Sequence, residues 1–593
     1  MEDLRIIRVE DLIDCMIERP LAVFLGSGVS IWEPTSLPTG KAFGSALFRA
    51  LFLEGGKVND PLGESQLEHL FSRIPFEIVV EQCPEPQILA ALLTDTFNVD
   101  EYNPIHHRFA EALITGDISA LVTTNYDCCM DKAMADILGG RVGTLIGPVR
   151  RVFQETDVAP RMAERLYFKI HGSADDPTRE SLVFQLRHEN VLPAWKRSLL
   201  RSIVEDRTLL LIGYSGLDFE ICPEIPSLRP ASVLWNVLTE EDITPNARMV
   251  LRKTDGALVV GDMRQLLFVG LRSVNATLGS PRFDIEALIR SRFSQQTLRF
   301  WRAKMLNHLS YGKSAMILIQ ELLKEPERAL AVELLEEQAR AFHYTGAYKR
   351  AALRYESIAN LVRRTKLNDE VVYELLLSAC DNWRCYGAFL RASRRLRDAE
   401  AFARRSGLTR PDLLASAQLK QILLLRRNYQ IAEKLRASRY KNRLKRKAEE
   451  LFRASAEALL RAGRRFEWQQ LRLWADRFDL SPDVTHPAGM FELPPSREGY
   501  EHLAFPMAQM MVFRDEIDTG KRTLDKYAAD EAVEKASLAE NLGLRTEAWK
   551  LNYMMLRKFP SHRNFMTLRK FVINFAACEY SLLMRGLLLI IRP

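Results

Sequence analysis

The sequence predicts an α/β domain with a mostly parallel sheet, followed by an all-α region of helical-repeat character. Three observations carry this expectation. Between about residue 20 and residue 270, short apolar runs alternate with stretches of helical periodicity. Several of those runs end directly in small or polar residues, where open α/β sheets bind their ligands. Beyond about 285 the strand-like runs stop, and Leu, Ala and Arg recur at helical spacing with few glycines.

The runs, in order, are "LAVFLG" at 21–26, "ALVTTN" at 120–125, "LYFKIHG" at 166–172, "TLLLIGYS" at 208–215, "SVLWNVL" at 232–238 and "ALVVGD" at 257–262. Each begins as an unbroken apolar stretch rather than an alternating one, the pattern of strands buried on both faces. Helical stretches between them imply parallel connections. In the second half, "GAYKRA" at 346–351 recurs as "GAFLRA" at 387–392 and, loosely, as "RNYQIA" at 427–432. Tyr348, Phe389 and Tyr429 are thus 41 and 40 residues apart, and "LGLRTEA" at 542–548 is a weaker echo. A small residue before an aromatic suits the tight turn of a helical hairpin, so the region resembles a degenerate tetratricopeptide-like array. The proline-rich stretch 481–499 predicts a loop. The expected division is 1–285, 286–480 (helical and basic), the loop 481–499, and a helical region 500–593.

At 593 residues the chain exceeds one compact core. Its 47% apolar and 27% charged residues are ordinary for a globular protein. No basic segment followed by an apolar stretch opens it, and no apolar run reaches the roughly 18–20 residues of a bilayer span, so no membrane role is expected. Eight cysteines with no C-x-x-C pair form neither a disulfide framework nor a zinc site, and a reducing cytoplasm is the expected location. The net charge of +7 is concentrated: 391–470 holds 22 Lys/Arg against 8 Asp/Glu, a local +14 against −7 for the remainder. That stretch reads either as a solvated helix face or as a contact for nucleic acid or an acidic partner. Helical arrays also suit a protein partner or self-assembly, so a homo-oligomer is expected.

Four strand ends carry the candidate chemistry. "GSGVS", Gly26 to Ser30, follows the first run, and its glycines suit a backbone approach to a pyrophosphate, although a structural turn reads the same way. "TTNYD", 123–127, offers Thr124, Asn125 and Asp127, or simply an Asx turn. His171 ends "LYFKIHG" as a proton acceptor or a satisfied core histidine, and Gly213 and Ser215 open "GYSGLD". No G-x-x-x-x-G-K-[ST] pattern is present, which leaves a Walker-type nucleotide hydrolase unsupported.

In this order the four motifs resemble the sirtuin family over about 20–270, specifically its bacterial zinc-less branch. The resemblance implies a Rossmann-like fold with NAD+ as substrate. It implies that Gly26, Ser27, Gly28 and Ser30 cradle the phosphates and that Asn125 sits beside the nicotinamide ribose. It makes His171 the catalytic histidine and brings Gly213 and Ser215 to the adenosine half, with Thr124 and Asp127 beside the cofactor. Asn236 and Asp262 follow less closely, and His106 matches a helix position that is structural in the family. Two departures matter. The 41 residues between His171 and Gly213 contain no cysteine, where protein deacetylases carry a four-cysteine zinc module. "LPTGKAF", Leu37 to Phe43, replaces the family's "GIPDFR". No zinc is therefore expected, and the implied activity is NAD+ hydrolysis to nicotinamide and ADP-ribose. Members of that branch act as antiviral defence effectors with a helical sensor, which implies a phage-derived trigger or a partner such as a separately encoded ATPase. The alternatives are an ADP-ribosyltransferase, a deacylase, or a non-catalytic NAD-binding or assembly module.

Overall fold

A computed structural model describes residues 4–461 except 10–11, 13–19, 55–56, 59–75, 141–142, 144, 159–164, 186–191, 217, 219–220, 223, 263, 266–276, 309–311, 325–330, 366–367 and 435–437, and every structural statement concerns the described residues. The stretch 481–499, the region 500–593 and the echo at 542–548 lie outside them. The chain divides into two compact units, the first running to Leu298 and the second starting at Arg299.

The strands of the first unit are β1 (Arg5–Arg8), β2 (Leu21–Leu25), β3 (Leu53–Glu54), β4 (Lys57–Val58), β5 (Ala120–Thr123), β6 (Leu145–Ile146), β7 (Val149–Val152), β8 (Arg165–Lys169), β9 (Thr208–Ile212), β10 (Ser232–Val237) and β11 (Ala257–Val260). Nine form one sheet in the order β1-β11-β10-β9-β2-β5-β8-β7-β6, and β3 and β4 pair separately. All neighbours from β1 to β7 are parallel, and β6 closes that edge antiparallel to β7. The six apolar runs of the sequence are β2, β5, β8, β9, β10 and β11.

Both faces of the sheet are covered, which is why these strands are apolar throughout. In β2, Val23 and Leu25 join a core with Ile105, Phe109 and Leu113 of α4 (Pro104–Thr115) and with Met130 and Met134 of α5 (Cys129–Leu138). Ala22 and Phe24 face the other way, onto Leu199, Leu200 and Ile203 of α6 (Ala194–Val204) and Val250 and Leu251 of α7 (Pro245–Lys253). After β2 the chain builds outward through β5 and β8, then returns to build the other side through β9, β10 and β11. That reversal beside β2 is a topological switch point, and ligands of open α/β sheets bind at its carboxyl edge.

The second unit, as far as it is described, is helical. Its hairpins pair α11 (Ala331–Tyr344) with α12 (Tyr348–Thr365), α13 (Asp369–Tyr386) with α14 (Phe389–Ser406), and α15 (Pro411–Lys434) with α16 (Ser438–Arg461). Tyr348 and Phe389 are the first residues of α12 and α14, each just after a glycine at positive φ, Gly346 at 78° and Gly387 at 90°. That backbone ends the preceding helix without a Cβ penalty, so these two motifs are hairpin turns as expected. The third is not: Tyr429 lies inside α15, where a helix runs uninterrupted through "RNYQIA". The repeat instead shows in the contacts between hairpins. His343 Nδ1 of α11 meets Asn382 Oδ1 of α13 at 2.9 Å, and Asp381 of α13 meets Lys420 of α15 at 3.5 Å. Glu356 of α12 accepts from Arg395 Nε of α14 at 2.6 Å, and the Arg363 guanidinium lies 5.3 Å from the Phe402 ring centroid. Each pair is 39 residues apart in sequence. A constant offset means that successive hairpins stack in one orientation, with α12 and α14 parallel and in register.

Candidate active site at the strand ends

Register brings the four motifs to one edge. Leu25 of β2 lies opposite Thr123 of β5 and Ile212 of β9, and Thr123 lies opposite Lys169 of β8. Gly26 and Gly213 therefore leave their strands side by side. Asn125 and His171, each two residues beyond that Thr123–Lys169 pair, leave theirs at one height.

The Asn125 amide is held by donation. Nδ2 donates to Gly26 O and to Ser30 Oγ, each at 3.2 Å. A carbonyl oxygen only accepts, so the nitrogen must face Gly26, and the amide has one orientation. Its Oδ1 is then aimed away, and it is buried with no hydrogen-bond partner among the described residues. A buried acceptor left open in this way is expected to have a hydroxyl or water as its partner.

Ser30 is the hub behind that amide, and its protons can be assigned. Asn103 begins α4: its Oδ1 accepts from Ile105 N at 3.0 Å and His106 N at 3.1 Å, and its own N–H donates to His106 Nδ1 at 3.3 Å. With Nδ1 accepting, the neutral imidazole carries its proton on Nε2, which faces Ser30 Oγ at 3.2 Å. The Ser30 hydroxyl then donates to Asp127 Oδ2 at 2.8 Å. Burial holds the His106 imidazole neutral, lowering its pKa to about 4 although the charge of Asp127 pulls the other way. Asp127 Oδ1 accepts from Cys129 N at 3.2 Å, so the Asx turn expected of "TTNYD" is present, and Asp127 faces inward. His106, Asp127 and Cys129 present donor atoms within 4.8 Å of one another. Burial, with Asp127 adding to it, pushes the Cys129 thiol well above its usual range, and these atoms are occupied by protons and hydrogen bonds.

The glycines after β2 serve a packing purpose that their sequence does not announce. Gly26 N donates to Ile212 O at 2.9 Å and Gly28 N to Gly213 O at 3.0 Å. These two amides are committed to the neighbouring strand end and not turned toward a phosphate. A Cβ on Gly26 would lie 2.3 Å from Gly213 O, and one on Gly28 would lie 2.8 Å from Gly213 Cα. The motif is glycine-rich because two loops touch backbone to backbone. Ser27 and Gly28 are half-buried and Ser215 is exposed, so the rim of this contact remains accessible.

His171 is buried, with its ring centroid 6.4 Å from that of Tyr126. The two are tied through Val183, whose N–H donates to His171 O at 2.9 Å and whose carbonyl accepts from Tyr126 OH at 2.6 Å. Beneath them lies a charge cluster that the sequence did not announce. Lys169 Nζ, fully buried, donates to Asp127 O at 2.6 Å and Tyr126 O at 3.3 Å and pairs with Asp131 at 3.1 Å. Asp131 also pairs with Arg151, which reaches Asp175 at 2.5 Å. Burial is the largest single effect and opposes the Lys169 charge, yet Asp131 and the other acidic groups around it, Asp175 among them, together move the ammonium upward. Lys169 thus clamps the backbone that carries Asn125. The one visible hint was a lysine inside an otherwise apolar run.

The remaining expected residues divide. Thr124 N donates to Leu25 O at 3.3 Å, closing the β2–β5 edge. Asn236 donates to Val259 O at 3.2 Å and Gly261 O at 3.1 Å, which ties β10 to β11. Asp262 pairs with Arg264, whose guanidinium lies 4.6 Å from the Trp32 ring centroid. Asp218 accepts from Ile221 N and Cys222 N at 2.7 and 3.0 Å, and a 3-10 turn at Ile225–Leu228 follows. "LPTGKAF" starts α1 (Gly40–Phe52), with Thr39 Oγ1 accepting from Ala42 N at 3.2 Å.

The family model of a SIR2-like domain matches residues 119–229. The match spans β5, β8 and β9 with Asn125, His171 and Gly213, and it excludes the glycine loop after β2. No curated protein matches the chain. The first unit thus carries a sirtuin-like domain, and SIR2-like domains use NAD+.

Proposed function

We propose that the sirtuin-like domain hydrolyses NAD+ to nicotinamide and ADP-ribose. The observation that carries the reading is the fixed Asn125 amide, whose open, buried Oδ1 is an acceptor and not a donor. An acceptor holds a ribose hydroxyl or a water by its hydrogen and leaves the oxygen lone pairs free to attack. In the reaction the bond from ribose C1′ to the pyridinium nitrogen breaks, and nicotinamide leaves neutral with the bonding pair. The water oxygen adds to C1′, and its proton passes to the His171 imidazole and then to solvent. A neutral leaving group needs no acid, so orientation is what the site has to supply. Ser27 and Ser215, on the accessible rim, are assigned to the phosphate and adenosine portions.

Unchecked hydrolysis would exhaust a cell's NAD+. We therefore assign the protein as a triggered, NAD-depleting effector of cytoplasmic antiviral defence. Release depends on the helical unit, on self-assembly, or on a partner such as an ATPase or a phage-derived trigger. The test is nicotinamide release from NAD+ by purified protein, with and without lysate from phage-challenged cells. Asn125→Ala and His171→Ala are expected to abolish turnover in the activated preparation, and full turnover in either overturns the roles. Label transferred from NAD+ to protein or to an acyl peptide would favour ADP-ribosyl transfer or deacylation instead.

A further inference from the structure

In the first two hairpins charge is sorted by helix, whereas in the third both helices are basic, α15 carrying four Lys/Arg against two Asp/Glu. The second helices of the three hairpins are basic: α12 carries five Lys/Arg against one Asp/Glu, α14 six against two, and α16 eight against three. The first helices α11 and α13 are acidic, with one Arg each against three and four carboxylates. Helix propensity alone does not sort residues this way, since Arg, Lys and Glu are comparable helix formers.

The basic residues also share a face. In α14 the buried residues Ala392, Leu396, Ala399 and Ala403 define the core side. At 100° per residue, Arg394, Arg397 and Arg404 fall on the opposite side, and all three are exposed. Arg350 and Arg364 hold the same outward position on α12, and Arg443 and Arg446 on α16. Because Glu356–Arg395 and Arg363–Phe402 hold α12 and α14 parallel and in register, their outward rows lie side by side as one field.

We propose that this face, on α12 and α14 with α16 extending it, binds a nucleic-acid duplex through its phosphate backbone and without reading sequence. Arginine dominates the face, and its planar fork matches phosphate oxygens in a way that a solvated lysine face would not require. Single strands are held by stacking on aromatic rings, and Tyr440 is the one exposed aromatic on these helices among the described residues. An anionic bilayer calls for a continuous apolar stripe, whereas the exposed Leu353, Leu361 and Leu390 do not follow the i, i+3, i+4 spacing of one. The proposal is independent of the NAD+ reaction.

The test uses the full chain and a fluorescently labelled DNA duplex, with anisotropy recorded across a salt series. Binding is expected to fall steeply with salt. R394E/R397E/R404E is expected to weaken it at least on the order of tenfold and to flatten the slope by roughly three, near one per lost phosphate contact. R443E/R446E gives a second, independent loss. R248E/R252E/K253E, on the exposed side of α7 in the first unit, is expected to bind as wild type. Unchanged circular dichroism and melting of each variant keep folding out of the result. Equal binding of an RNA duplex supports backbone recognition. The proposal is overturned if wild type leaves the duplex unbound at low salt, or if both face variants bind as wild type. It is also overturned if the α7 variant loses as much as they do, or if single-stranded DNA, a poly-glutamate peptide or phosphatidylserine vesicles bind more tightly than the duplex.

Discussion

Replacing Ser30 with alanine removes one oxygen atom, and that atom joins three side chains. Ser30 is 2% exposed. Without Oγ, the His106 Nε2–H loses its acceptor, Asp127 Oδ2 loses its donor, and Asn125 keeps only its bond to Gly26 O. Leaving a buried polar group unpaired costs about 1–3 kcal/mol, so two such groups predict a loss of about 3 kcal/mol in the first unit. The chain has two units, so a single unfolding transition is not assumed. Amide exchange in β2 and β5 reads the loss locally. The second readout is kcat for nicotinamide release, which falls because Asn125 is held at one donor instead of two, while the unit remains folded. A double-mutant cycle of Ser30→Ala with His106→Ala is expected to show coupling of about 1 kcal/mol or more. A loss well under about 1 kcal/mol, or strictly additive costs, would refute the hub.

Asn125→Asp replaces the amide nitrogen and its two donated hydrogens with one oxygen facing Gly26 O and Ser30 Oγ; nicotinamide release should be lost and calorimetry should show weakened NAD+ binding. Gly28→Ala sets a Cβ 2.8 Å from Gly213 Cα, forcing two backbones apart at a cost of about 1–3 kcal/mol, read as a lowered melting temperature and a smaller NAD+-induced shift. His106→Gln keeps an acceptor for Asn103 N and a donor for Ser30, so stability near pH 7 should change little. The pH dependence should change, however. A folded pKa of about 4, below the ordinary imidazole value of 6.5, means the stabilising neutral form is fully present above pH 6.5. Its contribution, about 3 kcal/mol, is lost as pH falls toward 4, and the Gln variant should lack that part of the acid slope. Lys169→Met leaves the Tyr126 and Asp127 carbonyls without their clamp and Asp131 with only Arg151 and the Tyr167 hydroxyl, an expected loss of about 3 kcal/mol by thermal melting.

The six strands that the sequence revealed are those buried on both faces, where apolar continuity is a physical requirement. Those it hid are informative. β1, "RIIR", lies at a sheet edge with only Ile7 buried, so no run marks it. β7, "VRRV", contains Arg151, whose burial is tolerated because Asp131 and Asp175 reach it from other elements. Two arginines in four residues do not read as a strand. The site was legible as a set of strand ends, because a parallel sheet gathers them. Its wiring was not: the orientation of Asn125 is set by the Gly26 carbonyl, and the direction of the Ser30 proton by which His106 nitrogen is protonated, itself set by an N–H at the start of α4. The glycines carry a second meaning that the sequence does not separate from the first, since a close approach of two loops and a phosphate cradle demand the same missing Cβ.

The constant stagger of the hairpins bears on how such a gene can change. A hairpin that meets its predecessor and its successor through equivalent positions is an interchangeable unit. Duplicating or deleting one whole unit creates no new kind of junction, whereas an insertion of any other length changes the offset at the junction that spans it. The length of the array is therefore free to drift in steps of a whole hairpin while the α/β half stays constant.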